Sequence, residues 1–181
     1  KILMSIYLGM TIANFVALKI AGMGWFDAVC HAFSTISTGG FSTKNASVGH
    51  FDSVAIELIL IVTMFVSAIH YGLLFSTLTG KRNNIFRSEV VKTYLVVLAA
   101  SSVLIAVSLR LADVYPTLLS SFRHSLFQVV SISTTTGFAT TDTNLWTPLA
   151  VMILVVLSLT GACAGSTSGG LKFDRLILAA K

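Results

Sequence analysis

The chain has 181 residues, 55% of them hydrophobic and only 10% charged, with a formal net charge of +5. Soluble domains carry about 25% charged residues, so this composition excludes an ordinary water-soluble fold and points to an integral membrane protein. The positive balance does not indicate a nucleic-acid binder: Lys81, Arg82, Arg87 and Lys92 share one connecting segment, Lys172, Arg175 and Lys181 lie at the end, and no aromatic residues interleave them in a basic stripe.

Residues 2–18 contain no Asp, Glu, Lys or Arg. About 20 residues at 1.5 Å rise cross a hydrocarbon core, so 2–21 is expected to be a membrane helix, with Lys19 reaching to the interface and Gly22-Met23-Gly24 ending it. Residues 25–37 are too short to span and carry Asp27 and His31, yet Phe26, Val29, Cys30, Phe33 and Ile36 recur at helical spacing. Inside a membrane protein this reads as a re-entrant helix, the alternative being an amphipathic helix lying on the surface. After a polar stretch at 44–53, residues 54–80 form the next apolar crossing, with Glu57 near its start and His70 within it. The basic connector 81–92 is expected on the cytoplasmic side. Residues 93–109 make a further crossing, Pro116 marks a turn, and 117–135 is a second re-entrant candidate, with Arg123 and His124 in its first half.

The last apolar run, 145–180, is long for one span and is interrupted by Gly161-Ala162-Cys163-Ala164-Gly165-Ser166-Thr167-Ser168-Gly169-Gly170. Each Gly weakens a helix by about 1 kcal/mol, so a broken helix beside a cavity is expected here. Close helix packing on Gly161, Gly165 and Gly169, spaced by four, is the alternative. Cys30 and Cys163 both lie in apolar contexts and read as buried small hydrophobes, not as a disulfide. No signal peptide is visible, and Lys1 stands where an initiator Met would, so the chain is expected to be a piece of a longer one.

One phrase occurs twice: Ser34-Thr35-Ile36-Ser37-Thr38-Gly39-Gly40-Phe41-Ser42-Thr43 and Ser131-Ile132-Ser133-Thr134-Thr135-Thr136-Gly137-Phe138-Ala139-Thr140. A shift of 97 positions (135 − 38) lays Thr38 on Thr135, Gly40 on Gly137, Phe41 on Phe138, Thr43 on Thr140 and Asn45 on Asp142. Each copy follows an amphipathic stretch and precedes a long apolar run. The fold expected is therefore an all-α membrane protein of two helix–pore loop–helix repeats, at 1–80 and 93–181, joined by the connector 81–92. With that connector cytoplasmic, both phrases lie toward the outer side, and each re-entrant helix directs its C-terminal end, carrying about half a negative charge, into the membrane. That favours a cation. A dehydrating cation needs oxygen ligands, which the backbone carbonyls of a Thr-x-Gly-aromatic loop supply, as in potassium channels. Gly40 and Gly137 would take φ values other residues resist, Thr38 and Thr135 would add hydroxyl oxygens, and Phe41 and Phe138 would pack outward and hold the loops open.

These motifs carry a family resemblance. Gly24-Trp25-Phe26-Asp27-Ala28 followed by His31-Ala32-Phe33 and the first phrase, Ser133 to Thr140 of the second, and Gly161 to Gly170 with Leu171-Lys172 together resemble the Trk/Ktr/HKT superfamily of cation transporters, most of all its bacterial TrkH/KtrB potassium uptake subunits. The resemblance covers essentially the whole chain and implies the second and third of four helix–pore loop–helix repeats, half of a pseudo-fourfold pore. It implies that Thr38, Gly39, Gly40 and Phe41, with Thr135, Thr136, Gly137 and Phe138, are selectivity-filter segments binding K+ through backbone carbonyls. It implies that 161–170, with Gly161, Gly165, Ser166, Thr167, Ser168, Gly169 and Gly170, is an intramembrane gate loop. The implied setting is a multi-pass protein of the bacterial inner membrane that takes up potassium, as a homodimer of full-length subunits. K+ is its transported ion, no cofactor sits on this chain, and a cytosolic nucleotide-binding regulatory subunit of TrkA/KtrA type faces the basic connector and Lys172 onward. Lys44-Asn45 occupies a place where relatives carry an acidic residue, which leaves outer-mouth cation attraction to Asp142.

Two rival readings remain at this stage. Gly161-Ala162-Cys163-Ala164-Gly165 has the spacing of a nucleophile elbow, with His70 or His124 as its base, but an elbow needs a strand before it and a helix after it. A non-conducting membrane assembly module packing through its glycine face is the other, and it leaves the duplication unexplained.

Overall fold

The computed structural model describes residues 2–80, 85 and 88–175. Lys81, Arg82 and Arg87 of the basic connector, and Lys181, lie outside the described residues.

Helix α1 (Ile2–Ile20) turns Leu8, Ile12, Val16 and Ile20, one residue per turn, outward and buries Thr11, Asn14 and Leu18 on the other side. Gly22, at φ +98°, reverses the chain into α2 (Trp25–Ile36). A 3-10 turn at Ser47–Phe51 leads to α3 (Val54–Ser67), capped by the Ser53 hydroxyl, and α4 (Tyr71–Leu78) follows. Helices α5 (Glu89–Leu111), α6 (Leu118–Ser133) and α7 (Pro148–Leu159) carry N-caps Ser88, Thr117 and Thr147 respectively, and Pro148 starts α7 where its missing N–H costs nothing. Two short parallel strands, β1 (Thr160–Gly161) and β2 (Leu171–Lys172), pair in the register Thr160 with Leu171 and Gly161 with Lys172, and so close the neck of the Gly/Ser loop between them.

The two halves pack alike. Helix α1 lies on α2 and α3, and α2 lies on α3; α5 lies on α6 and α7, and α6 lies on α7. The halves meet where α3 lies on α6. There, Arg123 of α6 donates from Nε and Nη2 to both carboxylate oxygens of the buried Glu57 of α3, at 2.6 and 2.8 Å. Within the second half the buried Tyr94 hydroxyl of α5 meets Ser133 at the end of α6, at 2.8 Å. By length and composition α1 and α5 are each able to cross a membrane, and α3 with α4 make a third if taken together.

The apolar run expected as a crossing at 54–80 is interrupted. It is not one straight helix: α3 and α4 are bent by 103° at Ala68-Ile69-His70. The broken helix finds its partners in the distant Gly/Ser loop. Ala68 O accepts from Cys163 N at 3.2 Å, Ser67 O from the Thr167 hydroxyl at 3.3 Å, and Tyr71 N donates to Gly165 O at 3.3 Å. His70 caps α4 through Nδ1, which accepts from Gly72 N at 2.8 Å. A smaller correction concerns α5, which starts at Glu89, so the connector's last residues, including Lys92, are helical.

Candidate functional site

Helices α2 and α6 end in the same way. Thr38 N donates to Thr35 O and Gly39 N to Ser34 O; 97 positions later, Thr135 N donates to Ile132 O and Thr136 N to Ser131 O. This is the Schellman closure, whose turning residue takes the left-handed conformation. Gly usually fills that place, yet here it is Thr38 at φ +53° and Thr135 at φ +57°. A β-branched residue resists this region, so something other than the turn holds threonine there. Two residues on, Gly40 (φ +69°) and Gly137 (φ +87°) repeat the left-handed step.

The carbonyl oxygens of Thr38, Gly39, Gly40, Phe41, Thr135, Thr136 and Gly137 accept no hydrogen bond among the described residues. The seven lie in two adjacent loops, where Thr136 is buried, Thr38, Gly40 and Thr135 are half-buried, and Gly39, Phe41 and Gly137 are exposed. The loops abut: a Cβ on Gly40 would stand 2.0 Å from Thr136 O, whereas one on Gly137 would meet nothing within 4 Å. Gly40 is therefore demanded by space and conformation, Gly137 by conformation alone. The phenylalanines differ. Phe138 is buried and stacks on the His31 ring at 5.5 Å, while Phe41 is 82% exposed, so the expected outward packing describes one copy and not the other. The serines beneath them diverge in step: Ser131 Oγ donates to Phe138 O at 2.7 Å, and its counterpart Ser34 Oγ is buried with no partner among the described residues.

Behind each loop the returning limb is tied to its own short helix by two side-chain contacts. In the first half the Thr43 hydroxyl donates to Asp27 Oδ1 at 2.5 Å, and His31 Nε2 meets Ser42 Oγ at 2.9 Å. In the second, His124 Nδ1 meets Thr140 Oγ1 at 3.4 Å, and Gln128 Nε2 donates to Thr141 O at 3.3 Å. Asp27 and His124, like His31 and Gln128, stand 97 apart (124 − 27; 128 − 31). Sequence reasoning did not assign these four residues to the site. The signal was present, as polar residues four apart on one face of each amphipathic helix, under the same shift as the phrases. Lys44 lies 3.3 Å from Asp27 Oδ2 and is paired there. Asn45 and Asp142, aligned by the same shift, line one polar pocket of about 470 Å3 with Ser47, Thr140, Thr141 and Thr143.

The Gly/Ser loop reaches both phrases at the threonines that strain their turns. The Thr38 hydroxyl shares its proton between Ser37 O at 2.7 Å and Thr167 O at 3.1 Å, and Gly169 N donates to Thr135 Oγ1 at 2.6 Å. The C-terminal ends of α2 and α6 thus converge on residues 167–169. Within the loop, Ser166 Oγ bonds Ser168 Oγ and Cys163 O, and a Cβ on Gly161 would stand 2.1 Å from Gly169 O. Gly165 takes φ +74° under the His70 ring, and Gly170 takes φ +72° against Gly161. None of the loop's glycines lies in a helix, so the helix-packing alternative for Gly161, Gly165 and Gly169 is set aside. Asp174 accepts from Ala164 N at 2.5 Å. Lys172, expected to face a cytosolic partner, turns back and donates to Ser168 O; Arg175 is exposed.

Cys163 is no elbow. The strand before it is two residues long, a turn follows instead of a helix, and neither His70 nor His124 bonds its thiol among the described residues. The TrkH family, described as a cation transport protein family, matches this chain over residues 1–181. The chain belongs to the TrkH family. Among TrkH proteins, the Trk system potassium uptake protein TrkH of Halomonas elongata is 41% identical over 182 residues, covering 100% of this chain and 38% of that protein. The protein of the same name from Escherichia coli is 39% identical over 179 residues, covering 98% of this chain and 37% of its own length. The crystal structure of the potassium transporter TrkH from Vibrio parahaemolyticus superposes with a TM-score of 0.93 at 39% identity, over 98% of this chain and 39% of that one. The chain thus spans well under half the length of these TrkH relatives. It is a membrane protein of a transport family, not an enzyme.

Proposed function

We propose that this chain supplies two adjacent walls of a potassium uptake pore, with Thr38 to Phe41 and Thr135 to Phe138 as filter segments and 161–170 as the gate beneath them. The observation that carries this is the row of unpaired carbonyls in two loops of matching backbone path that touch at Gly40 and Thr136. Unsatisfied carbonyls in a membrane are costly unless a cation takes the place of the missing donors, and carbonyl rings are the known means of stripping water from K+. The ends of α2 and α6 add partial negative charge at the same depth. The relatives' names, which include potassium uptake, support the choice of ion.

In the complete protein the missing walls come from further repeats, and Phe41 seats on a neighbouring short helix as Phe138 seats on α2. The protein resides as a multi-pass subunit in the bacterial inner membrane and works as a homodimer. A cytosolic nucleotide-binding subunit regulates it from the side of the basic connector and Arg175. The division into repeats at 1–80 and 93–181 is part of the same proposal, supported by the like packing of the two halves.

The deciding experiment compares Gly40→Ala with Gly137→Ala in the complete transporter reconstituted in liposomes. Gly40→Ala drives a methyl into Thr136 O and is expected to abolish rubidium flux or its preference over sodium. Gly137→Ala carries left-handed strain alone, about 1–2 kcal/mol, and is expected to lower flux without abolishing it. Wild-type flux and ion preference in Gly40→Ala would remove the filter assignment.

A further inference from the structure

His31 is fully buried and touches both loops. Its Nδ1 lies 2.7 Å from Asp27 O, an acceptor only, so that nitrogen carries a proton and donates. In the neutral ring Nε2 is then the acceptor, and the Ser42 hydroxyl of the first loop donates to it at 2.9 Å. The ring face stacks on Phe138 of the second loop at 5.5 Å and 25°. Its edge meets Phe51 at 5.4 Å and 84°. Phe51 closes the 3-10 turn that grips the residue after Phe138: Ala139 N donates to Ser47 Oγ at 3.2 Å, and Gly49 N donates to Ala139 O at 3.1 Å. The counterpart of His31 in the second half is Gln128, which bonds its own returning limb at Thr141 O and has no ring to stack.

We propose that His31 is a positioning residue for ion selection: it fixes the first loop through Ser42 and the second through Phe138, and so sets the separation of the two carbonyl rows. This rests on the filter reading above. Ion preference follows from the size of the carbonyl cage and the number and field of its dipoles, and a single buried side chain joined to both walls transmits a displacement of one to the other. Gln128, tied to one wall, holds only its own.

The test is a cycle of substitutions in the complete transporter, read as the rubidium-over-sodium flux ratio in liposomes. Ser42→Ala and Phe138→Leu each disturb one wall. With His31 present their effects are expected to be non-additive by about three- to tenfold, the range one hydrogen bond spans, and in a His31→Gln background they become additive. Additivity in the wild-type background overturns the proposal, and so does coupling that persists with His31→Gln. If the Phe138 variants do not assemble, Ser42→Ala alone decides: a fall of about threefold in the ratio is expected, and an unchanged ratio overturns it. Failure of the underlying filter reading looks different, because Gly40→Ala would then leave both flux and ratio intact.

Discussion

At the residue scale, the site is built on conformations that its residue types resist. Thr38 and Thr135 hold the left-handed turn of two Schellman closures where glycine would do so freely. Their hydroxyls are the reason on view, since each bonds the Gly/Ser loop. Replacing Thr38 by Gly should relax the turn and remove the tether together. We expect thermal stability in detergent to hold within about 1 kcal/mol. Basal rubidium flux without regulator should rise, and unchanged basal flux would show that the hydroxyl does not restrain the loop. Lys44 shows a different economy at this scale. On the proposed pathway a cation at Lys44 would be unfavourable, and Asp27 takes it up at 3.3 Å, while Asp142 on the shared polar pocket has no cationic partner among the described residues.

At the element scale, α2 and α6, the long apolar helices α1 and α5, and the break after α7 were legible from periodicity, charge depletion and glycine density. So was the pairing of the two phrases. The break between α3 and α4 was not, because Ala68-Ile69-His70 contains no Gly or Pro, and Ser67 and Gly72 beside it are single residues that an apolar helix tolerates. What bends the chain there is a set of hydrogen bonds from residues 163–167, nearly a hundred positions away, and such a partner leaves no local mark. The contacts behind the phrases were missed for a related reason. Asp27, His31, His124 and Gln128 read as polar residues on short helices until the returning limbs are seen to meet them. The Gly/Ser loop joins four elements, namely the ends of α2 and α6 and both sides of the α3–α4 break. Shortening 161–170 is therefore expected to raise basal flux, measured without the regulatory subunit. Equal flux in the shortened and intact proteins would contradict a gate there.

At the scale of the whole molecule, the two halves are alike in path and unlike in closure. Phe138 is 1% exposed against the first half, while Phe41, its counterpart, is 82% exposed. Burial of a phenylalanine is worth about 2–3 kcal/mol, which is what the proposed further repeats would gain by covering Phe41. In the complete transporter Phe41→Ala should therefore destabilise about as much as Phe138→Ala, roughly 3–5 kcal/mol, read from thermal melts in detergent. A much smaller loss at Phe41 would mean that it faces lipid or water instead.

The bend between α3 and α4 carries one more consequence. The carbonyls of Ser67 and Ala68 and the N–H of Tyr71 are satisfied in this arrangement by the loop, not by their own helices. If the loop swings away, as the proposed gate would require, these three backbone groups lose the partners they have here, and an apolar surrounding could not replace them. Water would then have to follow the loop. On the proposed reading, opening would be a wetting transition, and the broken helix would be the stretch already prepared to be hydrated.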